Sequence, residues 1–320
     1  MKAVAIPRYG LPDRFELVDV EPPALADDSA LVRVRAVSIN PADWYGIVPP
    51  LAVRPTTGFR RPRSDRTGID FAGTVEAVGK DVAHVAPGDA VFGSKSGALA
   101  ELIAVKDAIV EKPATISFEE AAGVGVAAST ALQGLRDRAQ VRPGRKVLVN
   151  GASGGVGTFA VQIAKHLGAE VTAVCSSRNV ETVRSLGADR VVDYTQEDFT
   201  ASGERYDVCF DVAGSRSWSD LRRVLAADAK VLIVGAPKGG RILGPLRRIV
   251  GFKLSSLRGS QKASFFLAKT NRADMQLLAD LLADGTIRTV VDRRFPLEQA
   301  ADAFRYLGEG HARGKIVITL

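Results

Sequence analysis

One run constrains the fold of this chain more than any other: Lys146-Val147-Leu148-Val149-Asn150-Gly151-Ala152-Ser153-Gly154-Gly155-Val156-Gly157. An apolar strand pattern enters a turn that carries four glycines in seven residues. The turn opens a helix whose apolar residues, Phe159, Val161, Ile163, Ala164 and Leu167, recur at helical spacing. Strand, glycine turn and helix together form the opening unit of a parallel sheet that binds dinucleotides. Ala152 takes the first position of the glycine pattern, giving Ala-x-Gly-x-x-Gly. Glycine at 154 lets the backbone approach a pyrophosphate, and glycine at 157 lets helix and strand pack closely. The helix start then offers free N–H groups and the positive end of its dipole. Ser153, Gly154, Gly155, Val156 and Gly157 are the expected pyrophosphate contacts.

The end of the next strand selects the cofactor. Glu170-Val171-Thr172-Ala173-Val174-Cys175 runs into Ser176-Ser177-Arg178. A site for NADH usually carries Asp or Glu there, to accept from the ribose 2′-hydroxyl. Here Ser176 stands nineteen residues past Gly157, and the next carboxylate along the chain is Glu181. Small hydroxyls and an arginine suit a 2′-phosphate. The expected cofactor is therefore NADPH, with Ser176 and Arg178 on the phosphate. Gly235 and Ala236 follow the strand Val231–Val234 and are expected beside the nicotinamide amide, with Phe266 covering the ring.

The chain of 320 residues is long enough for two domains or one discontinuous domain. Its 46% apolar and 25% charged content is ordinary for a globular protein. No run approaches the ~18–20 apolar residues of a membrane span. The N-terminus reads as a strand that meets Pro7, so a cytoplasmic location and no stable membrane insertion are expected. Cys175 and Cys209 lie in apolar strand contexts and read as small core residues. The net charge of +7 gathers around Arg54, Arg60, Arg61, Arg63 and Arg66, and again around Arg241, Arg247, Arg248, Lys253 and Arg258. No recognition helix or stacking motif accompanies these arginines, so nucleic acid is not an expected partner. The stretch 242–257 mixes apolar and basic residues, but Gly244-Pro245 and Gly251 argue against one long amphipathic helix there.

Two textures divide the chain. The first ~115 residues are strand-rich and broken by glycine and proline, as in the alternation Val32–Ile39 and the turn Pro87-Gly88-Asp89. From Ser117-Phe118-Glu119-Glu120, a capping-box pattern, strands and helices alternate. Strands are predicted at 147–150, 171–175, 190–192, 208–211 and 230–234, with helices at 155–167, 179–186 and 217–226. Repeated β-α-β units imply a doubly wound parallel sheet. The end of the chain reads as a helix near 272–284, a strand at 289–292, a helix at 297–307 and a last strand at 315–320 that returns to the first domain.

Several motifs in order resemble the medium-chain dehydrogenase/reductase superfamily, and within it the zinc-free quinone oxidoreductase branch that includes zeta-crystallin. They are Val37-Ser38-Ile39-Asn40-Pro41-Ala42-Asp43, Gly68-Ile69-Asp70-Phe71-Ala72-Gly73, Gly88-Asp89-Ala90-Val91-Phe92, Gly151 to Gly157, and Gly314-Lys315. The resemblance implies an α/β chain. A mainly β, GroES-like substrate domain (1–118 with 287–320) would surround a Rossmann NADPH-binding domain (119–286), with the active site in the cleft and a homodimer joined through the sheets. Zinc alcohol dehydrogenases of the superfamily hold catalytic zinc through Cys and His. The first of those cysteines falls here at Asn40 and the histidine at Ile69, while His84, His166 and His311 are scattered, so no metal is expected.

Without a metal, quinones and α,β-unsaturated carbonyls are the expected small-molecule substrates, because conjugation spreads the charge that hydride addition creates. Asn40 and Tyr45 match polar positions that line the nicotinamide cleft in relatives, and are the expected catalytic residues. Asn40-Pro41 is also a turn signal. Tyr194 resembles an adenosine-side contact, and Lys315 joins the expected cofactor contacts. Two other readings stay open: an enoyl-thioester reductase, and a non-catalytic NADPH-binding or RNA-binding protein.

Overall fold

A computed structural model of the protein describes residues 1–235, 246–257 and 259–320. The expected contact Ala236 lies outside these residues, as do Arg241 and Arg258 of the basic stretch. The chain divides into two compact units, Met1–Ser129 with Lys269–Leu320, and Thr130–Ala268. Residues 119–129 and 269–286, which the resemblance groups with the Rossmann domain, fall within the first of these units.

In the second unit, six parallel strands are present among the described residues. Their spatial order is Arg190–Asp193, Glu170–Cys175, Lys146–Asn150, Tyr206–Asp211, Leu225–Ile233, Lys262–Phe265. In chain order that is 3-2-1-4-5-6, the doubly wound arrangement in which the winding reverses between the first and fourth strands. The central strands read as continuous apolar runs because both faces are covered: Val147, Leu148 and Val149 have no exposed surface. The glycine-turn helix spans Gly155–His166 and buries Phe159, Val161, Ile163 and Ala164, as its spacing predicts.

Three predictions shift here. The helix at 217–226 is shorter, Trp218–Arg222, because Leu225 already pairs in the next strand. The sixth strand, Lys262–Phe265, was not read from the sequence; Phe265 and Lys262 are exposed, so it lacks the apolar signature of a buried strand. Gly251 does not break the basic stretch. Leu246–Ser256 is one helix, and Gly251 lies on its exposed side.

In the first unit, the described strands form a mainly antiparallel sheet in the order Val291–Pro296, Lys315–Thr319, Ala30–Ile39, Asp70–Val78, Ala90–Ser94, Ile109–Glu111, with Leu102–Val105 also paired to Ala30–Ile39. The last strand of the chain thus returns to the first unit by pairing with Ala30–Ile39. The helix Ala300–Glu309 buries Ala300, Ala303, Phe304 and Leu307 against this sheet, and Phe15 meets the Phe304 ring edge-on at 4.9 Å. Asn40-Pro41, a turn signal in the sequence, starts the helix Pro41–Ile47. Proline is suited to the first helical position, where no N–H is needed.

Candidate functional site

In the second unit the glycine turn has the geometry its sequence requires. A Cβ on Gly157 would lie 2.1 Å from the Gly151 carbonyl oxygen, so helix and strand meet only because residue 157 has no side chain. Gly154 differs: the nearest atom to its Cβ position is 3.6 Å away. Space is therefore open beside Gly154, at the N-cap of the helix, where the first amides have no intrahelical acceptor. An anion placed there would meet free N–H groups and the positive end of the dipole.

Asn179 joins this turn to the loop after the second strand. Its Nδ2 donates to Ser153 Oγ at 3.2 Å and to Ser176 Oγ at 3.0 Å. The side chain is buried, so the two hydroxyls are held in one arrangement. Sequence reasoning singled out both serines but missed the residue that fixes them. Arg178 is exposed and makes no ion pair or hydrogen bond among the described residues, which leaves its guanidinium available.

A carboxylate also reaches this loop. Asp193 pairs in register with Cys175 at the end of the neighbouring strand. Hydrogen bonds from Ser177 and Thr195 hold its carboxyl below the usual carboxylate range. Asp193 lies twelve positions beyond Glu181 in the chain, and strand pairing brings it to this loop. Tyr194 beside it is 55% exposed.

The strand ends at the winding reversal are bound together. Asn150 and Asp211 are opposite in register, and Asn150 Nδ2 donates to Asp211 Oδ1 at 2.8 Å. Gly214 N donates to the same oxygen at 3.1 Å, while Arg248 pairs with the other oxygen of this fully buried carboxylate. Gly235 packs where a Cβ would strike the Val212 carbonyl oxygen. Phe266 is buried in the second unit, near Gly134 and under the Arg138 guanidinium.

The first unit holds the other expected residues, built from the ends of paired strands. Ile39 lies opposite Ile316, so Asn40 and Lys315 fall side by side; Asp70 pairs with both Ser38 and Ser94. Lys315 Nζ donates to Asn40 Oδ1 at 2.6 Å and stands 3.7 Å from Asp70 Oδ2. Asn40 Nδ2 donates to Asp70 Oδ2 at 2.9 Å. The other Asp70 oxygen accepts from Ser94 Oγ at 2.7 Å and Val126 N at 2.9 Å. Burial pushes the Lys315 ammonium down from its ordinary range, against the carboxylates of Asp70 and Asp43.

Asp43 receives N–H donors on both oxygens, from Asn40 at 2.8 Å and Gly68 at 3.1 Å. Burial outweighs them and raises its carboxyl to about 7. The amide of Asn40 and the ammonium of Lys315 are thus both engaged inside the unit, at 2% and 3% exposure. Tyr45, one turn along the same helix from the Asn40 cap, is half-buried and its hydroxyl has no partner among the described residues. Burial raises its pKa further above neutrality, where a tyrosine phenol is already protonated.

Comparison with known proteins agrees with this architecture. Residues 26–132 match the family described as alcohol dehydrogenase GroES-like domain, and residues 186–318 match the one described as zinc-binding dehydrogenase. The chain is 33% identical to the chloroplastic quinone-oxidoreductase QR1 of Triphysaria versicolor, over 94% of this chain and 92% of that one. It is 32% identical to the chloroplastic NADPH-dependent alkenal/one oxidoreductase of Arabidopsis thaliana, over 99% of this chain and 79% of that one. The structure of the quinone oxidoreductase from Coxiella burnetii superposes with a TM-score of 0.86 at 30% identity, covering 100% and 99% of the two chains. The chain belongs to the quinone oxidoreductase branch of the medium-chain dehydrogenase/reductase superfamily.

Proposed function

We propose that this protein is an NADPH-dependent, zinc-independent oxidoreductase that delivers hydride to a quinone or an α,β-unsaturated carbonyl. The observation that carries the reading is the Ser153–Asn179–Ser176 bridge beside the open N-terminus of the helix Gly155–His166. It joins a place for a pyrophosphate to a place for the adenosine ribose, at the carboxyl ends of a doubly wound sheet. The relatives named quinone oxidoreductase and NADPH-dependent alkenal/one oxidoreductase support the same choice.

In this reading the amides of Gly155, Val156 and Gly157 bind the pyrophosphate, with Ser153 beside them. Ser176 and Arg178 take the 2′-phosphate, Tyr194 lies along the adenosine, and Gly235 borders the nicotinamide end. When bound, the reduced nicotinamide supplies the hydride. The Tyr45 hydroxyl donates a hydrogen bond to the oxygen on which negative charge develops. Asn40 is a positioning residue, since its amide is engaged by Lys315 and Asp70. Lys315 acts with it rather than as a direct cofactor contact.

Metal independence rests on the donor set. An amide and a buried ammonium stand at Asn40 and Lys315, and Ile69 offers no donor atom at all. Zinc sites need thiolate, imidazole or carboxylate ligands, and a fixed cation in their midst opposes a second one. A cytoplasmic location and a homodimer joined through the parallel sheets complete the proposal.

The test is steady-state oxidation of NADPH by the purified protein with 9,10-phenanthrenequinone and with a simple enone. Turnover with either, and little with acyl-thioesters, supports the reading. Turnover confined to an acyl-thioester makes it an enoyl-thioester reductase.

A further inference from the structure

The net positive charge of this chain is concentrated in one stretch. Between Asp228 and Asp274 there is no Asp or Glu, while ten Lys and Arg occur: Lys230, Lys238, Arg241, Arg247, Arg248, Lys253, Arg258, Lys262, Lys269 and Arg272. Setting these ten apart from the 43 Lys and Arg leaves 33 against 36 Asp and Glu, so the rest of the chain is net negative.

The helix Leu246–Ser256 lies within that stretch and presents two unlike faces. Arg248, Ile249, Phe252 and Ser256 turn inward, where Phe252 meets the Trp218 ring edge-on at 5.5 Å and Arg248 reaches buried Asp211. Leu246, Val250, Leu254 and Leu257 recur at three- and four-residue spacing on the opposite side, the period of one helical face. They are 37%, 54%, 60% and 72% exposed. Arg247 and Lys253 are exposed on either flank of this stripe. Exposed Phe265 belongs to the strand that packs beside the helix.

We propose that this face docks on an anionic lipid surface, with the aliphatic stripe at the headgroup–acyl boundary and Arg247 and Lys253 on the lipid phosphates. A helix seated by one face, with an aliphatic stripe between cations on the other, has the form of an interfacial anchor. Charge selects the occupant. A second copy of the chain seated face to face would bring two acid-free surfaces together, which repel. A nucleic acid would neutralise the cations but leave the aliphatic stripe against phosphate. An anionic bilayer satisfies both features. The proposal rests on this surface alone and stands whether or not the reductase reading does.

The experiment is co-sedimentation of the full chain, at low ionic strength, with vesicles of phosphatidylcholine and with vesicles of equimolar phosphatidylcholine and phosphatidylglycerol. Binding is expected to the anionic vesicles and not to the neutral ones. Val250→Gln with Leu254→Gln should weaken it at least about tenfold. Arg247→Gln with Lys253→Gln should weaken it roughly thirtyfold, and added salt should weaken it in the parent. All four positions are exposed, so unfolding midpoints should match the parent's, and either pair alone tests the face. Three results would overturn the proposal. One is unchanged vesicle binding by the Val250/Leu254 variant, which means adsorption by charge only. The second is failure to bind either vesicle type. The third is a lipid-free self-association that the same variant abolishes, which makes this an interface between copies.

Discussion

Lys315 and Asn40, 275 positions apart in the chain, meet through a 2.6 Å hydrogen bond from Nζ to Oδ1 in a region sealed from solvent. The bond orients the Asn40 amide, whose Nδ2 then faces Asp70, and so fixes the start of the helix that carries Tyr45.

Removing the ammonium should therefore be costly. Lys315→Met leaves Asp70 buried with only its neutral donors, and breaking a buried pair by deleting one partner costs about 3–5 kcal/mol. Adding Asp70→Asn should recover part of that loss. Denaturant unfolding of the four proteins of the cycle measures it; an equal cost of Lys315→Met in both backgrounds would show that the two charges do not interact.

Asp43 gives the fold a pH dependence. Its carboxyl is raised from 3.8 to about 7 by burial, so the folded chain holds a proton that the unfolded chain has already released between those values. The stabilisation is complete below about pH 4, declines as pH rises toward 7, and is flat above; at about 1.4 kcal/mol per unit it amounts to roughly 4 kcal/mol. Asp43→Asn should flatten this part of the stability curve, measured by unfolding midpoints across the same interval.

Gly157 and Gly154 should respond differently to alanine. Gly157→Ala places a Cβ against the Gly151 carbonyl and should destabilise the unit that carries the glycine turn. Gly154→Ala meets nothing closer than 3.6 Å and should fold normally while its Kd for NADPH rises about tenfold or more, ~1.4 kcal/mol. Thermal unfolding and fluorescence titration together separate the two; a Gly154→Ala protein with parental affinity would remove the pyrophosphate from this turn.

Cofactor choice should depend on Arg178 and Asp193 in opposite senses. Arg178→Ala should raise the KM for NADPH about tenfold and leave that for NADH nearly unchanged, as loss of a charge-assisted contact does. Asp193→Asn removes an ionised carboxylate linked to the same loop through Ser177, and should favour NADPH further. Comparing kcat/KM for the two cofactors in each variant checks both.

Local chemistry was legible in the sequence; convergence of distant segments was not. The glycine turn and its helix could be read because strand period, glycine spacing and helix period lie within about twenty residues of one another. Ser176 and Arg178 followed from the length of one β-α-β unit. Asn179 was missed because its role is a contact back to Ser153, 26 positions away, and Asp193 because only strand pairing brings it beside Ser177. Asn40 was expected to line the nicotinamide cleft, yet the register Ile39–Ile316 sets it against Lys315 and turns its amide inward. The helix Leu246–Ser256 runs through Gly251, since seating of Ile249 and Phe252 on the unit's core outweighs the ~1 kcal/mol that glycine costs in a helix.

Transfer of label is the most direct measurement of the proposed reaction. NADPH carrying deuterium at nicotinamide C4, on the face the enzyme uses, would be incubated with the protein and an α,β-unsaturated ketone, and the product examined by mass spectrometry. The proposal predicts a saturated ketone bearing one deuterium at the β-carbon, with transfer slowed in Tyr45→Phe. Saturated product without deuterium, or none from either ketone or quinone while NADPH binds tightly, would contradict hydride delivery by this protein.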